Sequence, residues 1–184
     1  MLFASWIPES HSDLTDEYAA VRKEMESVAE YLGKSVLREV DEDEFMKNIA
    51  DIRSSCGDRA VLRAMHFYGD NARVEKQAAA LKAGDFETFK KYIIESGRSS
   101  YMYNQNVYSC KKASEQPVSL ALSLSEKLLD GCGAWRVHGG GFAGTIQAFV
   151  PLNKLDEYKD LMEKVFGSGS CYILSVRPVG GVEL

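Results

Sequence analysis

The sequence predicts an α+β fold in which helices cover a small antiparallel sheet. Three observations predict it. From residue 14 to residue 130 most apolar residues recur at helical spacing. From Ala134 the period changes to the alternation of strands, in "AWRVH" and "TIQAFV", which "GGGFAG" joins. A further helical pattern, "NKLDEYKDLMEKVF", and a last apolar run, "CYILSV", then follow.

Each element has its own local warrant. Leu14, Tyr18, Val21, Met25, Val28 and Leu32 mark a first helix, with Ser12 or Asp13 as cap and Gly33 as its end. "SVLREV", residues 35–40, is bracketed by β-branched valines and is expected to be a short strand. Phe45, Ile49, Ile52 and Cys56 mark one further amphipathic helix after the acidic "DEDE". Asp58 is expected to cap a long helix that Gly84 stops, and Asp85 to cap the next, with Phe86, Phe89 and Ile93 inward. "YNQNVYSCKKASEQ" reads as an irregular connection. Pro117 opens a helix carrying Val118, Leu122, Ser125 and Leu129, and Gly131 closes it. Asn153 is expected to cap the last helix, with Leu155, Tyr158, Met162 and Val165 inward, and "RPVGGVEL" to fray or form an edge. The resulting order is a ferredoxin-like βαββαβ pattern with a helical insertion in its first crossover. Residues 1–34 are expected to form an N-terminal segment and helix, and residues 35–184 the domain proper, the whole being one compact unit.

Composition excludes several classes. A net charge of -5, without a basic stripe, argues against a nucleic-acid partner. No apolar run reaches the length of a membrane-spanning helix. The start, "MLFASWIPES", lacks the basic region of a secretory signal. Cys56, Cys110, Cys132 and Cys171 are scattered and form no CxxC pair, so they read as reduced thiols of a cytoplasmic protein, and no metal-ligand set is expected. Neither GxGxxG at a strand-to-helix turn nor a GxxxxGK[ST] loop occurs.

The glycine run is the feature that calls for chemistry. A hairpin turn needs one or two glycines, whereas residues 139–144 contain four. Gly139, Gly140 and Gly141 permit close approach to bare backbone, whose N–H groups can meet a phosphate; a flexible hairpin tip is the equal alternative. Gly140→Val is expected to be harmful, because a β-branched residue disfavours positive φ and fills space. His138 can donate to a phosphate or simply end a strand. It shares a face with Arg136, while Trp135 and Val137 share the other. The Tyr18 phenol can meet a sugar hydroxyl or belong to the core. Asp13, Asp16 and Glu17 suit the first turn of a helix. His11 and His66 have no evident partners, and no Ser/His/Asp set stands out, so no catalytic residue is assigned.

Three separated segments, in order, resemble one family. "GAWRVHGGGFAGTIQAFVP" is similar to the third conserved motif of the galactokinases, of the galactokinase, homoserine kinase, mevalonate kinase and phosphomevalonate kinase superfamily. Arg136 and residues 139–142 keep that motif; His138 replaces its usual threonine and Ala143 a glycine. "SHSDLTDEYAAVRKEMESVAEYLGK" resembles the stretch that opens the family's C-terminal half, with Tyr18 at the position of a sugar-contacting tyrosine. "DRAVLRAMHFYGDNARVEKQAAALKAGDFETFKKYIIESGRSS" resembles the helical segment between them. The likeness covers residues 10–184.

The resemblance implies a function. The family transfers the γ-phosphate of ATP, with Mg2+, to the 1-hydroxyl of α-D-galactose, and its third motif lies between two lobes near the ATP phosphates. Gly139, Gly140, Gly141, Phe142 and Gly144 are thereby implied to form the phosphate-proximal loop, and Tyr18 to contact sugar. The family's N-terminal lobe carries the galactose signature, the PxxxGLSSSA-type phosphate loop and the catalytic aspartate. None of these is present here, and "MLFASWIPE" departs from the family. The chain is thus expected to be the C-terminal half of a galactokinase, inactive alone, whose partner is the missing lobe or a second copy. The alternatives are a non-catalytic regulatory or partner-binding domain, or a related kinase for a sugar such as N-acetylgalactosamine.

Overall fold

The computed structural model describes residues 2–6, 14–142 and 144–175. A four-stranded antiparallel sheet is built from β1 (Leu2–Trp6), β2 (Ala134–His138), β3 (Thr145–Phe149) and β4 (Cys171–Leu174), in the order β2-β3-β1-β4. Ala4 lies opposite Gln147 on one side and Tyr172 on the other. Trp135 faces Ala148 and Val137 faces Ile146 across the hairpin.

Between β1 and β2 run α1 (Thr15–Tyr31), α2 (Glu42–Lys47), α3 (Ile49–Cys56), α4 (Asp58–Lys82), α5 (Phe86–Ser99) and α6 (Pro117–Leu129); α7 (Leu155–Phe166) joins β3 to β4. The observed class is that of helices on an antiparallel sheet. No helix among the described residues is long and apolar enough to cross a membrane.

Two cores form. In the first, Val118, Ala121, Leu122 and Leu129 of α6 and Tyr158 and Met162 of α7 pack on Trp135, Val137, Ile146 and Ala148. Those four strand residues are the inward set of an alternating pattern, with Arg136 and Gln147 between them and less buried. The Ser125 hydroxyl donates to the Ala121 carbonyl at 2.8 Å and meets the Tyr158 hydroxyl at 2.8 Å, so both buried polar groups are satisfied. In α5, Gly97 permits close contact with β2: a Cβ there would stand 3.0 Å from the Trp135 carbonyl oxygen. That helix covers the outer strand of the sheet, which leaves less backbone open to pairing with another chain.

In the second core, Val28 and Ala29 of α1 meet Leu37, Val40, Phe45, Ile52, Val61, Ala64 and Tyr68. It explains the first departure from the sequence reading. Residues 35–40 are not a strand: Val36 and Val40 are extended, but they flank a 3-10 turn at Leu37–Glu39. Leu37 and Val40 bury their side chains among helices, and the Tyr68 hydroxyl lies 3.4 and 3.3 Å from their carbonyl oxygens. The first strand of the sheet is instead β1, in the opening residues.

Other local expectations are corrected in detail. The helix expected through Phe45 and Cys56 is two helices, because Asn48 ends α2 and starts α3, its side-chain amide donating to the Glu44 carbonyl at 2.8 Å. Asp58 is the first residue of α4 and pairs with Arg53 at 2.5 Å, while Gly57 takes the cap position. Asn153 lies inside a 3-10 turn, Leu152–Lys154, ahead of α7. Phe86 and Val165, expected inward, are exposed. The Asp85 cap on Thr88 N–H (3.0 Å), Pro117 at the start of α6 and the left-handed Gly33, Gly84 and Gly131 agree with expectation. Ser12, Asp13, His11 and the tail "RPVGGVEL" lie outside the described residues.

Candidate functional site

The β2–β3 loop, residues 139–144, departs from an ordinary two-residue hairpin, and each glycine has a separate reason. Gly139 and Gly141 hold φ of +66° and +82°, which glycine adopts without a steric penalty. Gly140 is not in the left-handed region, which corrects the expectation of a positive φ there. Its missing Cβ is a matter of space, since a Cβ would stand 2.6 Å from Tyr18 Cε1 and 2.8 Å from Cδ1. A Cβ on Gly141 would collide with the Asn106 carbonyl oxygen, and one on Gly144 would lie 2.9 Å from the Gly141 oxygen. Phe142 takes a left-handed φ of 56°, unfavourable for a bulky side chain, and burial against Leu14, Tyr18 and Val21 holds it there.

Tyr18 belongs to this loop. It projects from the first turns of α1, half-buried, and its hydroxyl donates to the Gly141 carbonyl at 3.0 Å. Its ring meets Phe142 edge-on, with centroids 5.2 Å apart and planes at 87°. The residue implied to contact sugar and the residues implied to lie near phosphate are thus in direct contact. Their neighbours Asp16 and Glu17 are not merely first-turn charges: Glu17 is buried and accepts from the Ser109 hydroxyl at 2.7 Å, and Asp16 pairs with Lys111 at 3.1 Å.

The segment that reads as an irregular connection proves to be the other wall of the site. Ser100–Asn104 forms a π-helical turn, and Gln105 ends it with φ 54°. The Asn106 carbonyl then accepts the Phe142 N–H at 2.6 Å, and its side-chain Nδ2 donates to the Gly140 carbonyl at 3.3 Å. Beneath it lies a partly buried ion pair. Arg63 of α4, fully buried, donates through Nε to the Asn104 carbonyl at 3.0 Å and through a terminal nitrogen to Glu24 at 2.8 Å. Burial pushes the Arg63 guanidinium's pKa down, and the Glu24 carboxylate opposes that shift. Arg59 grips the same carboxylate, with Nε 3.0 Å from both of its oxygens. Asn104, Asn106, Arg63 and Glu24 carried no motif. The only local signal was "NQN", a run of side chains that tolerate left-handed backbone or favour turns.

A cavity of about 550 Å³ opens beside the loop, with Tyr18, Met25, Phe67, Asn104, Asn106 and Gly140 among its lining residues. Its rim carries the Arg22–Glu26 pair, 2.7 Å, and Arg38, whose guanidinium lies 5.9 Å from the Phe67 ring centre. His138 ends β2 exposed. His66 contacts the Ser99 hydroxyl at 2.9 Å, but both are buried between α4 and α5 and neither lines the cavity. Among the described residues no group of three or more His, Cys, Asp or Glu side chains could hold a metal ion. The arrangement can therefore offer bare backbone and shape to a ligand.

Comparison with known proteins gives this geometry a context. No protein-family model matches the chain. It is 32% identical to human galactokinase over 174 residues, covering 95% of the chain and 41% of that relative. The Bos taurus galactokinase is 31% identical over 164 residues (89% and 39%), and that of Mannheimia succiniciproducens 26% over 152 residues (83% and 37%). The chain spans about two fifths of the length of these curated relatives. In fold it is similar to the crystal structure of Lactococcus lactis galactokinase complexed with galactose, at a TM-score of 0.67 and 22% identity, covering 93% of this chain and 43% of that one. By sequence the chain is a relative of the galactokinases, and it corresponds to the C-terminal half of that family.

Proposed function

We propose that this chain supplies the C-terminal half of a galactokinase-type sugar kinase, which phosphorylates galactose at the 1-hydroxyl with ATP. One observation carries the reading: the bare loop at residues 139–142 and Tyr18 form one packed unit on the wall of a cavity. In a kinase of this type ATP supplies the phosphoryl group and Mg2+ neutralises its charge; positioning is most of what the protein adds. Gly139, Gly140, Gly141, Phe142 and Gly144 would present backbone near the phosphates. The Tyr18 proton is committed to Gly141, so toward a sugar hydroxyl its oxygen acts as acceptor. The resemblance gives the catalytic aspartate to the N-terminal lobe of the complete enzyme.

That lobe is the partner this reading requires. The βαββαβ order with a helical insertion is read as ferredoxin-like, which the strand order β2-β3-β1-β4 supports. We read the chain as one compact unit, which the shared core of α1 with residues 37–68 and the pairing of β1 between β3 and β4 support. Four free cysteines support a reducing, cytoplasmic setting.

The test is steady-state kinetics of the chain joined to the N-terminal part of a galactokinase. Tyr18→Phe should raise the galactose requirement through the lost bond to sugar, about 0.5–1.5 kcal/mol, and also loosen the loop through the lost bond to Gly141. Gly140→Val should impair both ATP and sugar dependence, because its side chain enters the Tyr18 ring. Unchanged ATP dependence in a folded Gly140→Val enzyme would overturn the reading.

A further inference from the structure

The glycine loop does not hold its shape alone. Asn106 meets it twice: its carbonyl accepts the Phe142 N–H at 2.6 Å, and its side-chain Nδ2 donates to the Gly140 carbonyl at 3.3 Å. Gly141, between those two contacts, is glycine because any Cβ would strike the Asn106 carbonyl oxygen. Asn106 is itself 4% exposed.

Its side-chain Oδ1 is sealed from solvent without a hydrogen-bond partner among the described residues. A buried acceptor left unpaired is unfavourable. Turning the amide over does not relieve it, since Oδ1 would then face the Gly140 carbonyl, acceptor against acceptor. The orphaned oxygen is therefore a consequence of gripping the loop. A second strained feature lies on the same contact, the left-handed φ of 56° at Phe142. The base under Asn106 is firm by comparison: Arg63 holds the Asn104 carbonyl at 3.0 Å, and Gln105 N–H bonds the Ser100 carbonyl at 2.8 Å.

We propose that Asn106 is the positioning residue of the glycine loop, a latch that holds residues 140–142 against the π-helical segment Ser100–Asn104 and from which the loop is released when the side-chain amide is lost. Its bearing on nucleotide use rests on the phosphate-site reading above. The latch does not, and the chain by itself tests it.

The experiment is residue-resolved amide hydrogen exchange on the purified chain. Asn106→Ala and Asn106→Ser each remove the bond to Gly140 and keep the backbone carbonyl; the serine variant also retains a polar group should alanine fail to fold. Gly141→Ala, which drives a Cβ into that carbonyl, is the reference for a released loop. Either Asn106 variant should speed exchange at Phe142 about tenfold, the effect of one lost hydrogen bond, while Ile146 and Leu122 exchange as in the unaltered chain. Phe142 exchange within about twofold of the unaltered chain would overturn the proposal. So would acceleration spread equally over the sheet and α6, because that is global loss of stability rather than release of one loop. In the chain joined to a galactokinase N-terminal part, a released loop with unchanged ATP dependence would support the latch and refute the phosphate-site reading.

Discussion

The Tyr18 hydroxyl donates to the Gly141 carbonyl at 3.0 Å, across 123 residues of sequence. This contact joins the start of α1 to the β2–β3 loop. Two features that the sequence presents separately, a tyrosine on a helix and a glycine run in a hairpin, are parts of one wall. Strain at Phe142 is held by the same partners, since Tyr18 packs edge-on against its ring. Perturbing either side should therefore be felt on the other.

The first prediction follows from the space at Gly140. Gly140→Ala places a Cβ 2.6 Å from Tyr18 Cε1, so it should destabilise the chain by about 1–3 kcal/mol, as overpacking does. In a Tyr18→Ala background the obstacle is gone and the penalty should fall to a few tenths of a kcal/mol. Urea melts of the four proteins measure the coupling, expected at about 1 kcal/mol or more for groups in contact. Additive effects would show that the ring does not fill the space against Gly140.

The second concerns the ion pair below the site. Arg63→Met removes a buried charge and leaves Glu24 and the Asn104 carbonyl without it. The loss should be about 3 kcal/mol, the lower end for a broken buried pair, because Arg59 still neutralises Glu24 and that carboxylate is partly solvated. Arg59→Met should cost under about 1 kcal/mol, being partly exposed with Arg63 still in place. Denaturant melts in which the two losses are equal would contradict this ranking.

The third is a pH dependence. Burial lowers the His66 pKa below its ordinary 6.5, with Asp70 opposing the shift and Arg73 and Arg136 adding to it. The unfolded chain therefore takes up a proton as pH falls through 6.5 while the folded chain resists, so stability contributed by neutral His66 is lost downward from that pH. The melting temperature should drop between about pH 7 and about pH 5, and His66→Gln should flatten that part of the drop. An identical profile in the variant would remove His66 from the account.

What could be read in advance had local causes. The alternation of Trp135 and Val137 with Arg136 specified a strand with one buried face, and Asp85, Pro117 and Gly131 mark ends through backbone chemistry that neighbours suffice to satisfy. Leu2–Trp6 lacked such a signal: five residues with no clear polar alternation become a strand only because β3 and β4 lie on either side. Residues 35–40 show the converse. Their valines favour extended backbone, but no strand among the described residues pairs with them, and burying Leu37 and Val40 against Phe45 and Tyr68 decides the turn. In the loop, the glycines were visible and their reasons were not. The obstacles are Tyr18 and Asn106, distant in sequence, so spacing could not say which glycine needs left-handed backbone and which needs room.

The most direct test of the central claim is galactose-dependent ADP release, measured for this chain alone and for the chain joined to the N-terminal part of a galactokinase. The account predicts none from the chain alone, turnover from the joined protein, and its loss in Gly141→Ala, whose Cβ would force the loop from Asn106. Galactose-dependent release by the chain alone, or a folded joined protein whose turnover Gly141→Ala leaves intact, would contradict it.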